Sequence, residues 1–407
     1  MKSKIQKGNF AYWPAVVTVM TVMTVLILFT GQWPWEANSY HSYVLQADAW
    51  LHGRLDLGQN YKWLELAIYG GKYYVSFPPF PSYVMLPFVW LFGTGVPDHW
   101  IAIFSTLIGV VYTWKLCRQL SCSEDQATFY TLFLYLGTGL MFVSINGYVW
   151  FIAQNFCFTL SVMSLYYALK ERGGVSLTLW ACAVGCRPMV AVYVPLLLWI
   201  LCRQWRVRHP QGRWHEMMLK RWYWCIGAVL IALSYMTLNL LRFGSVIEFG
   251  HNYLPEFTRT TTGQFNLSYL VPNVRNLFRL PQSGQTGEAL RFPTSDGVAF
   301  WLVTPLFLTV MAAWMSEVVR KKKESWFLLI VLPLLALFHV FIIVCHKTLG
   351  GWHFGNRYLL DTLPYLFYGM LVWRPKGNWF DRLNVILCAG GAAINLIGMV
   401  AVYNSWI

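Results

Sequence analysis

The sequence predicts an all-α protein that crosses a membrane many times. Of its 407 residues, 57% are hydrophobic and 12% are charged, whereas a soluble domain carries about 25% charged residues. Apolar stretches recur from Tyr12 to the C-terminus, and each is long enough to cross a bilayer, which takes roughly 17–25 residues. No soluble domain, internal repeat or low-complexity segment separates these stretches. We therefore expect a single transmembrane domain over residues 1–407.

Nine stretches are clear candidates for membrane spans, and two more segments are ambiguous. Residues 80–94 are short and contain two prolines, and residues 175–202 are long for one span, with Arg187-Pro188 in their middle. We expect 80–94 to lie in the outer membrane interface and 175–202 to form two short helices hinged at Arg187-Pro188, which gives about eleven spans. The clear candidates are 12–30, 99–116, 126–145, 147–169, 222–241, 298–317, 326–345, 358–373 and 383–403.

The positions of Lys and Arg support this topology. A net charge of +14 in a soluble protein would suggest a nucleic-acid partner. Here the cations lie in short loops between spans, which is the usual mark of cytoplasmic loops, so we expect no nucleic acid. The sequence thus predicts a multi-pass plasma (inner) membrane protein with a cytoplasmic N-terminus. About 20 of the 31 Lys and Arg would be cytoplasmic: Lys2, Lys4, Lys7, Lys115, Arg118, Lys170, Arg172, those from Arg203 to Arg221 and from Arg320 to Lys323, Arg374, Lys376 and Arg382.

Three larger loops, 31–98, 242–297 and 346–357, then share the outer face. The middle loop is too long and too polar for a simple connector. The first loop is rich in aromatic and ionisable residues, and such a loop beside a membrane span is a common place for a functional site. We therefore expect the protein to work at its outer face, with membrane lipids beside the site.

The first loop is expected to contain a helix from Ser39 to Arg54. An apolar stripe at helical spacing would rest on the membrane interface, and Gly53 is placed to end the helix. Asp48 shares another face with His41 and His52, so this helix would aim Asp48 toward the protein. Asp48 then either pairs with His52 or Arg54, or acts as a general base. The stripe consists of Tyr40, Tyr43, Val44, Ala47, Trp50 and Leu51.

A metal site on His41, Asp48 and His52 is the third alternative. Three ligands on one helix face rarely converge over eleven residues without others, so we expect no metal and no cofactor. Further along the loop, Gly70-Gly71 suits a tight turn that presents Lys72. Lys72 and Arg54 could bind a phosphate or, equally well, lipid headgroups.

Several stretches resemble one family of membrane enzymes. NSYHSYVLQADAWLHGRLDL and WLELAIYGGKYYVSFPPFP resemble the first outer loop of GT-C glycosyltransferases, in particular the bacterial group related to protein O-mannosyltransferases and lipid A aminoarabinose transferases. LRFGSVIEFG, residues 241–250, is similar to their long outer loop. GGWHFGNRYLL, residues 350–360, followed by Pro364, is similar to their late Arg-Tyr-Leu-Leu signature. Arg187-Pro188 resembles their short basic hinge, and the resemblance extends over most of the chain.

The resemblance implies a GT-C-like fold and an inverting transfer of a sugar, a hexose or pentose, from a polyprenyl-phosphate carrier. The acceptor would be a protein, a glycan or a lipid of the cell envelope outside the cytoplasm. The family's catalytic carboxylate lies early in the first outer loop, at a position that falls near Asn38 and Ser39 in this sequence. Because neither is acidic, the candidates for the base are Asp48, then Glu36, and also Glu65.

Such a transfer needs cations that stabilise the departing phosphate. The candidates are Arg54, Lys72, Arg187, Lys347, His353 and Arg357. An interfacial anchor is the alternative role for Arg357, and a structural hydrogen bond is the alternative for His353. Arg242, Glu248 and His251 are candidates for contact with the acceptor.

Two rival functions remain open from the sequence. A transporter or flippase for polyprenyl-linked lipids would keep polar residues in broken helices near the bilayer midplane, and Arg187 is the best such residue. His339 also lies in a span, where a satisfied core histidine explains it. A non-catalytic glycosyltransferase-like protein is the other alternative, because the fold does not establish catalysis.

Overall fold

The computed structural model describes residues 11–36, 38–282, 292–293, 297–320, 326–351 and 354–406, and it is mostly helical. One two-stranded antiparallel sheet, β1 (Leu66–Tyr69) and β2 (Lys72–Val75), accompanies the helices in this part of the chain. The helices are α1 (Trp13–Thr30), α2 (Ser42–Leu51), α3 (Phe80–Phe92), α4 (Asp98–Gln119), α5 (Glu124–Leu136), α6 (Leu140–Ser144), α7 (Val149–Leu169), α8 (Gly173–Val184), α9 (Val194–Arg208), α10 (Trp214–Lys220), α11 (Ile226–Phe243), α12 (Pro255–Thr258), α13 (Leu270–Leu277), α14 (Phe300–Val303), α15 (Leu306–Arg320), α16 (Trp326–Val344), α17 (Leu363–Trp373) and α18 (Asn378–Tyr403).

Seven helical segments in the described residues are long and apolar enough to cross a membrane. This agrees with the predicted multi-pass helical protein, although it does not establish the expected count of eleven. The most buried of them, Val149–Leu169, packs between α4 and α8 and also touches α9 and α17, so it forms the centre of the bundle. The seven segments are Trp13–Thr30, Asp98–Gln119, Val149–Leu169, Pro188–Arg208, Trp222–Phe243, Trp326–Val344 and Asn378–Tyr403.

Three of the predicted spans are interrupted. The stretch 126–145 breaks between α5 and α6 at residues 137–139, where Gly137 and Gly139 weaken the helix. The stretch 298–317 breaks before α15 at Pro305, which has no N–H to donate. The stretch 358–373 begins as a 3-10 helix, Arg357–Thr362, and only then becomes α17. Local helix breakers therefore account for the spans that were expected to be continuous but are not.

Of the two ambiguous segments, 175–202 has the predicted shape, and the interfacial position of 80–94 stays a prediction. Residues 175–202 form α8 and α9 with the 3-10 helix Pro188–Tyr193 between them, and Arg187 is extended at φ −142° because a proline follows it. The hinge is thus confirmed. Helix α3 has 13 residues, so it is about 20 Å long, which is shorter than the roughly 30 Å core of a bilayer.

The helix of the first loop is present, but its orientation was predicted wrongly. α2 runs over Ser42–Leu51, and Gly53 follows it in the left-handed region at φ 70°, as expected. The apolar stripe packs onto α3 and the loop before it instead of facing lipid: Tyr43, Val44 and Ala47 are buried. Burying this stripe against protein turns the opposite face of α2, which carries Asp48 and His52, toward the outside.

The Gly-Gly turn is confirmed as the turn of a β-hairpin. Gly70 and Gly71 join β1 to β2 with φ of 56° and 76°, and only glycine adopts two such angles in succession without strain. The turn presents Lys72, whose side chain is mostly exposed. The hairpin leads directly from Glu65 to the cavity wall at Ser76.

Candidate active site

A cavity of about 730 Å³ lies where the three predicted outer loops meet. Its lining comes from the first loop, the middle loop, the last loop and the hinge at Arg187-Pro188. The sequence analysis placed the three loops on one face and a hinge at Arg187-Pro188, and the structure brings all four segments to one cavity. Apart from the tyrosines and Cys186, the ionisable side chains of the lining are Glu65, Arg187, Glu248, His251, Glu256, His339, His346, Arg357 and Asp361.

Glu65 is the first-loop carboxylate that reaches this cavity. It directly precedes β1, and the Ser76 hydroxyl donates to its backbone carbonyl at 3.1 Å, which fixes the strand end. The Trp150 indole N–H of α7 donates to Glu65 Oε2 at 3.1 Å. Glu65 as a residue is exposed to solvent, but the protein around the cavity partly desolvates its carboxylate. This desolvation raises the pKa of Glu65, while the Trp150 hydrogen bond and the charge of Arg357 oppose the rise.

Glu256 is a second carboxylate of the cavity, contributed by α12. Partial burial raises its pKa, and the negative charge of Glu65 raises it further. The two groups therefore disfavour each other's ionisation. A pair of like-charged carboxylates of this kind is suited to holding or accepting a proton.

Arg187 forms a buried ion pair with Asp361. Its Nε donates to Asp361 Oδ2 at 2.8 Å, and Gln154 of α7 donates to Oδ1 at 2.7 Å. The Asp361 side chain is 3% exposed, whereas that of Arg187 is 21% exposed. Asp361 thus holds the guanidinium by one edge, and the remaining surface of the guanidinium is open to the cavity.

Arg357 lies beside this pair but is more fully enclosed. Its Nη2 donates to the Gly350 carbonyl at 2.8 Å and its Nη1 to the Trp150 carbonyl at 3.4 Å. Its Nε has no hydrogen-bond partner among the described residues. The guanidiniums of Arg187 and Arg357 stand 4.5 Å and 4.9 Å from the centre of the same ring, Tyr358. Two cations thus share one aromatic wall of the cavity.

Burial disfavours the charged form of the two loop histidines of the cavity. His251 Nδ1 is 3.0 Å from the Ser76 carbonyl, and His346 Nδ1 is 2.7 Å from the Thr348 carbonyl. Burial lowers the pKa of His251, and it lowers the pKa of His346 to about 4. They can donate or accept hydrogen bonds there without adding charge.

His339 departs from the expectation of a satisfied core histidine. Its Nδ1 lies 3.3 Å from the Tyr193 hydroxyl. The other ring nitrogen, Nε2, is buried and has no partner among the described residues, and the residue lines the cavity. The interpretation from the sequence is therefore correct for only one of the two ring nitrogens.

Six predicted site residues lie away from the cavity lining: Asp48, Glu36, Arg54 and Lys72 of the first loop, and Arg242 and Lys347. Asp48 is paired with His52 at 3.6 Å on the outward face of α2, and Lys72 is paired with Asp56 at 3.6 Å. Glu36 is exposed, and so is Arg54, which lies against the backbone of Gly58. The expected inward aim of Asp48 was wrong because the apolar stripe of α2, not its polar face, packs on the protein.

Other predicted residues have structural contacts. Arg242 is buried, where it donates to the Val75 carbonyl at 3.1 Å and to Asn239 at 3.0 Å, so it ties β2 to α11. Glu248 lines the cavity, but it accepts from the Gly250 N–H and from Asn252, both at 2.6 Å. Lys347 donates to the Glu256 carbonyl at 2.6 Å. His353 lies outside the described residues.

Three residues of the cavity were not singled out from the sequence. Asp361 follows Arg-Tyr-Leu-Leu inside a stretch that was expected to span the membrane, and an ionisable residue there is a functional signal in its own right. Glu256 and His346 carry no signal in their local sequence that separates them from other polar loop residues. In the described part of the chain, no group of three or more His, Cys, Asp or Glu side chains is arranged to hold a metal ion.

Comparison with known proteins leaves the function to be argued from this cavity. No protein-family model and no curated protein sequence matches the chain. The chain is similar to the crystal structure of an oligosaccharyltransferase from Archaeoglobus fulgidus in the apo form, with a TM-score of 0.44 and 13% sequence identity over 95% of this chain. The match covers 56% of that protein, so this chain spans little more than half of its length. A likeness of this size establishes neither a shared fold nor a shared activity.

Proposed function

We propose that the protein is an inverting glycosyltransferase that moves a sugar from a polyprenyl-phosphate carrier to an acceptor hydroxyl at the cavity. The observation that carries this proposal is the composition of the cavity. One recess at an end of a membrane bundle holds a carboxylate with a raised pKa, Glu65, and a partly open guanidinium, Arg187. The proposed site faces the outside of the plasma (inner) membrane, as the distribution of cations predicts.

Glu65 is the proposed general base. The acceptor oxygen attacks the anomeric carbon, the bond from that carbon to the phosphate oxygen breaks, and the acceptor proton passes to Glu65. A base works best when its pKa lies near the working pH, and burial moves the pKa of Glu65 in that direction. Glu65 was the third candidate from the sequence, and it ranks first here because Asp48 and Glu36 do not line the cavity.

Arg187 is the proposed contact for the departing phosphate. Asp361 orients it, and the exposed part of the guanidinium can donate to phosphate oxygens without giving up a proton. Arg357 adds positive charge nearby, although its donors already bind two carbonyls. The same cavity has an apolar side made by Met189, Ile342 and Ile343, which suits the first part of a prenyl chain.

The test is sugar transfer by purified protein from a panel of polyprenyl-phosphate sugars to a membrane extract. Glu65→Gln should lower transfer by about 10²–10⁴-fold, the usual effect of losing a general base. Asp48→Asn and Glu36→Gln are matched controls, since each removes one carboxylate of the same loop outside the cavity, and they should retain near-normal transfer. Loss of transfer in a control, with Glu65→Gln active, would refute this assignment.

A polyprenyl-lipid flippase is the second candidate, and a specific observation favours it. Arg187 and Asp361 form an ion pair at the break between α8 and α9, and breaks of this kind bind cargo in transporters. A flippase would move polyprenyl phosphate between the leaflets of proteoliposomes without consuming any sugar donor. If the protein moves polyprenyl phosphate between leaflets and transfers sugar from no donor, the flippase proposal replaces the enzyme proposal.

A further inference from the structure

The end of the molecule opposite the cavity carries a basic and apolar surface on α10. α9 begins beside the cavity hinge and ends at Arg208, and α11 returns to the cavity end at Phe243. α11 has 18 residues, so the loop before it lies about 27 Å from its cavity end. α10 is therefore separated from the cavity by roughly the thickness of a bilayer core.

The apolar part of this surface is continuous with a span that faces lipid. Met217 is buried and holds α10 against the protein, whereas Trp214, Met218 and Leu219 are exposed. Leu219 is 74% exposed, and Trp222, at the start of the next span, is 66% exposed. The exposed side of that span continues the strip from Ile226 through Leu230 to Leu233. An exposed apolar strip that runs into a lipid-facing helix is typical of a helix lying in the membrane interface.

The polar part of this surface is strongly positive. Residues 203–221 contain six Lys and Arg and one acid, Glu216, which lies 4.0 Å from Lys220. Three of the cations are held by the protein: Arg208 pairs with Glu171 at 3.0 Å, Arg203 stacks on Trp199, and Arg221 bonds the Tyr223 hydroxyl. The side chains of Arg206, Arg213 and Lys220 are exposed around α10.

We propose that this α10 surface, formed by Trp214, Met218, Leu219 and Trp222 with Arg206, Arg213 and Lys220, binds anionic phospholipids. The four apolar side chains insert among the acyl chains, and the three cations bind headgroup phosphates. A basic cluster directly beside a membrane span is the arrangement that recognises anionic lipid. A lipid accounts for the apolar strip better than a soluble acidic protein does, because the strip continues into a span that already requires lipid.

The expected preference for anionic lipid can be calculated from the number of cations on the α10 surface. Each Lys or Arg near an anionic membrane surface strengthens binding by about fivefold. Three such cations give a preference for anionic over zwitterionic lipid that is large enough to measure even when imperfect placement reduces it. Because the contact is electrostatic, added salt weakens it.

The experiment measures the relative binding of short-chain phosphatidylglycerol and phosphatidylcholine to the purified full-length protein by native mass spectrometry. Wild type should prefer phosphatidylglycerol by at least about tenfold. The triple variant Arg206→Gln/Arg213→Gln/Lys220→Gln should lose most of that preference. The control Lys62→Gln/Arg259→Gln/Arg275→Gln removes three exposed cations elsewhere and should leave it unchanged.

A second variant distinguishes the contribution of the apolar side chains, which insert among the acyl chains, from that of the cations. Met218→Ser/Leu219→Ser should weaken the binding of both lipids by a similar factor, and thermal unfolding of every variant verifies the fold. The proposal is overturned if wild type shows no preference, or if the control triple variant loses as much preference as the α10 triple variant. Binding of an acidic soluble protein with no lipid preference would also overturn it. None of these outcomes depends on glycosyl transfer.

Discussion

Two acidic residues, Asp361 and Asp48, are each paired with a basic side chain, and the pairs differ in burial. Asp361 is 3% exposed and meets Arg187 at 2.8 Å, whereas Asp48 is 28% exposed and meets His52, itself 67% exposed, at 3.6 Å. Water screens the outer pair, and the inner pair has replaced its water by protein. Only the inner pair lines the cavity, so the two pairs differ in location as well as in burial, and a paired carboxylate does not by itself identify a residue of the cavity.

The largest difference between the pairs should appear in stability. Asp361→Asn leaves the charge of Arg187 buried without a counter-charge and should lower the free energy of unfolding by about 3–5 kcal/mol. Asp48→Asn should change it by less than about 1 kcal/mol, since the pair is exposed. Denaturation of the purified variants in detergent measures both. Equal, small effects of the two substitutions would show that the Arg187–Asp361 pair is not buried as described.

A companion variant distinguishes stability from function in the inner pair. Arg187→Met/Asp361→Leu removes both charges and should recover most of the lost stability, because apolar side chains can replace a buried ion pair at little cost. Donor binding should be lost in this double variant, since no guanidinium remains for the phosphate. Donor binding at the level of wild type would argue against Arg187 as the phosphate contact.

A smaller effect is expected when the charge of Arg187 is kept and its shape is changed. Arg187→Lys can still pair with Asp361, but one ammonium cannot bond a carboxylate and a phosphate in the way a planar guanidinium can. We expect donor affinity to fall by about tenfold, with unfolding changed little. Titration with polyprenyl phosphate measures this, and an unchanged affinity would mean that Arg187 serves only Asp361.

The smallest effect is expected at the exposed cations of the first loop. Lys72 pairs with Asp56 at 3.6 Å, and Arg54 lies on the protein surface. Lys72→Gln and Arg54→Gln should therefore leave transfer within about twofold of wild type, because neither side chain lines the cavity. A tenfold loss of transfer in either variant would show that the site also includes the outer side of the β1–β2 hairpin.

The sequence predicted the parts of the site that depend on local chemistry. Gly70-Gly71 requires a tight turn and Pro188 requires a break, so the hairpin and the hinge were both foreseeable. The meeting of the three loops followed from hydropathy and charge. The sequence did not predict which first-loop carboxylate lines the cavity. That depends on which face of α2 packs on α3, because an amphipathic helix beside a membrane can bury its apolar stripe in lipid or in protein.

Asp361 and Glu256 show two different limits of predicting a site residue from the sequence. Asp361 could have been identified as a site residue, because an aspartate in an apolar stretch needs a partner. Arg187, in the interrupted stretch 175–202, is the cation that could have been expected to pair with it. Glu256 could not, because its closeness to Glu65 results from the folding of a loop almost two hundred residues away along the chain. Long-range contacts between loops of this kind are not encoded in any local pattern.

The pH dependence of transfer tests most directly whether Glu65 is the base. The base must be ionised, so activity should fall on the acid side at a higher pH than for a glutamate in water, because desolvation by the surrounding protein raises the pKa of Glu65. Trp150→Phe removes a hydrogen bond that opposes this rise and should move the acid limb up by about one pH unit. Glu256→Gln removes a neighbouring negative charge and should move the limb down. Shifts in these opposite directions are the result we predict. Profiles of both variants that coincide with wild type, at full activity, would contradict a role for Glu65 as the base.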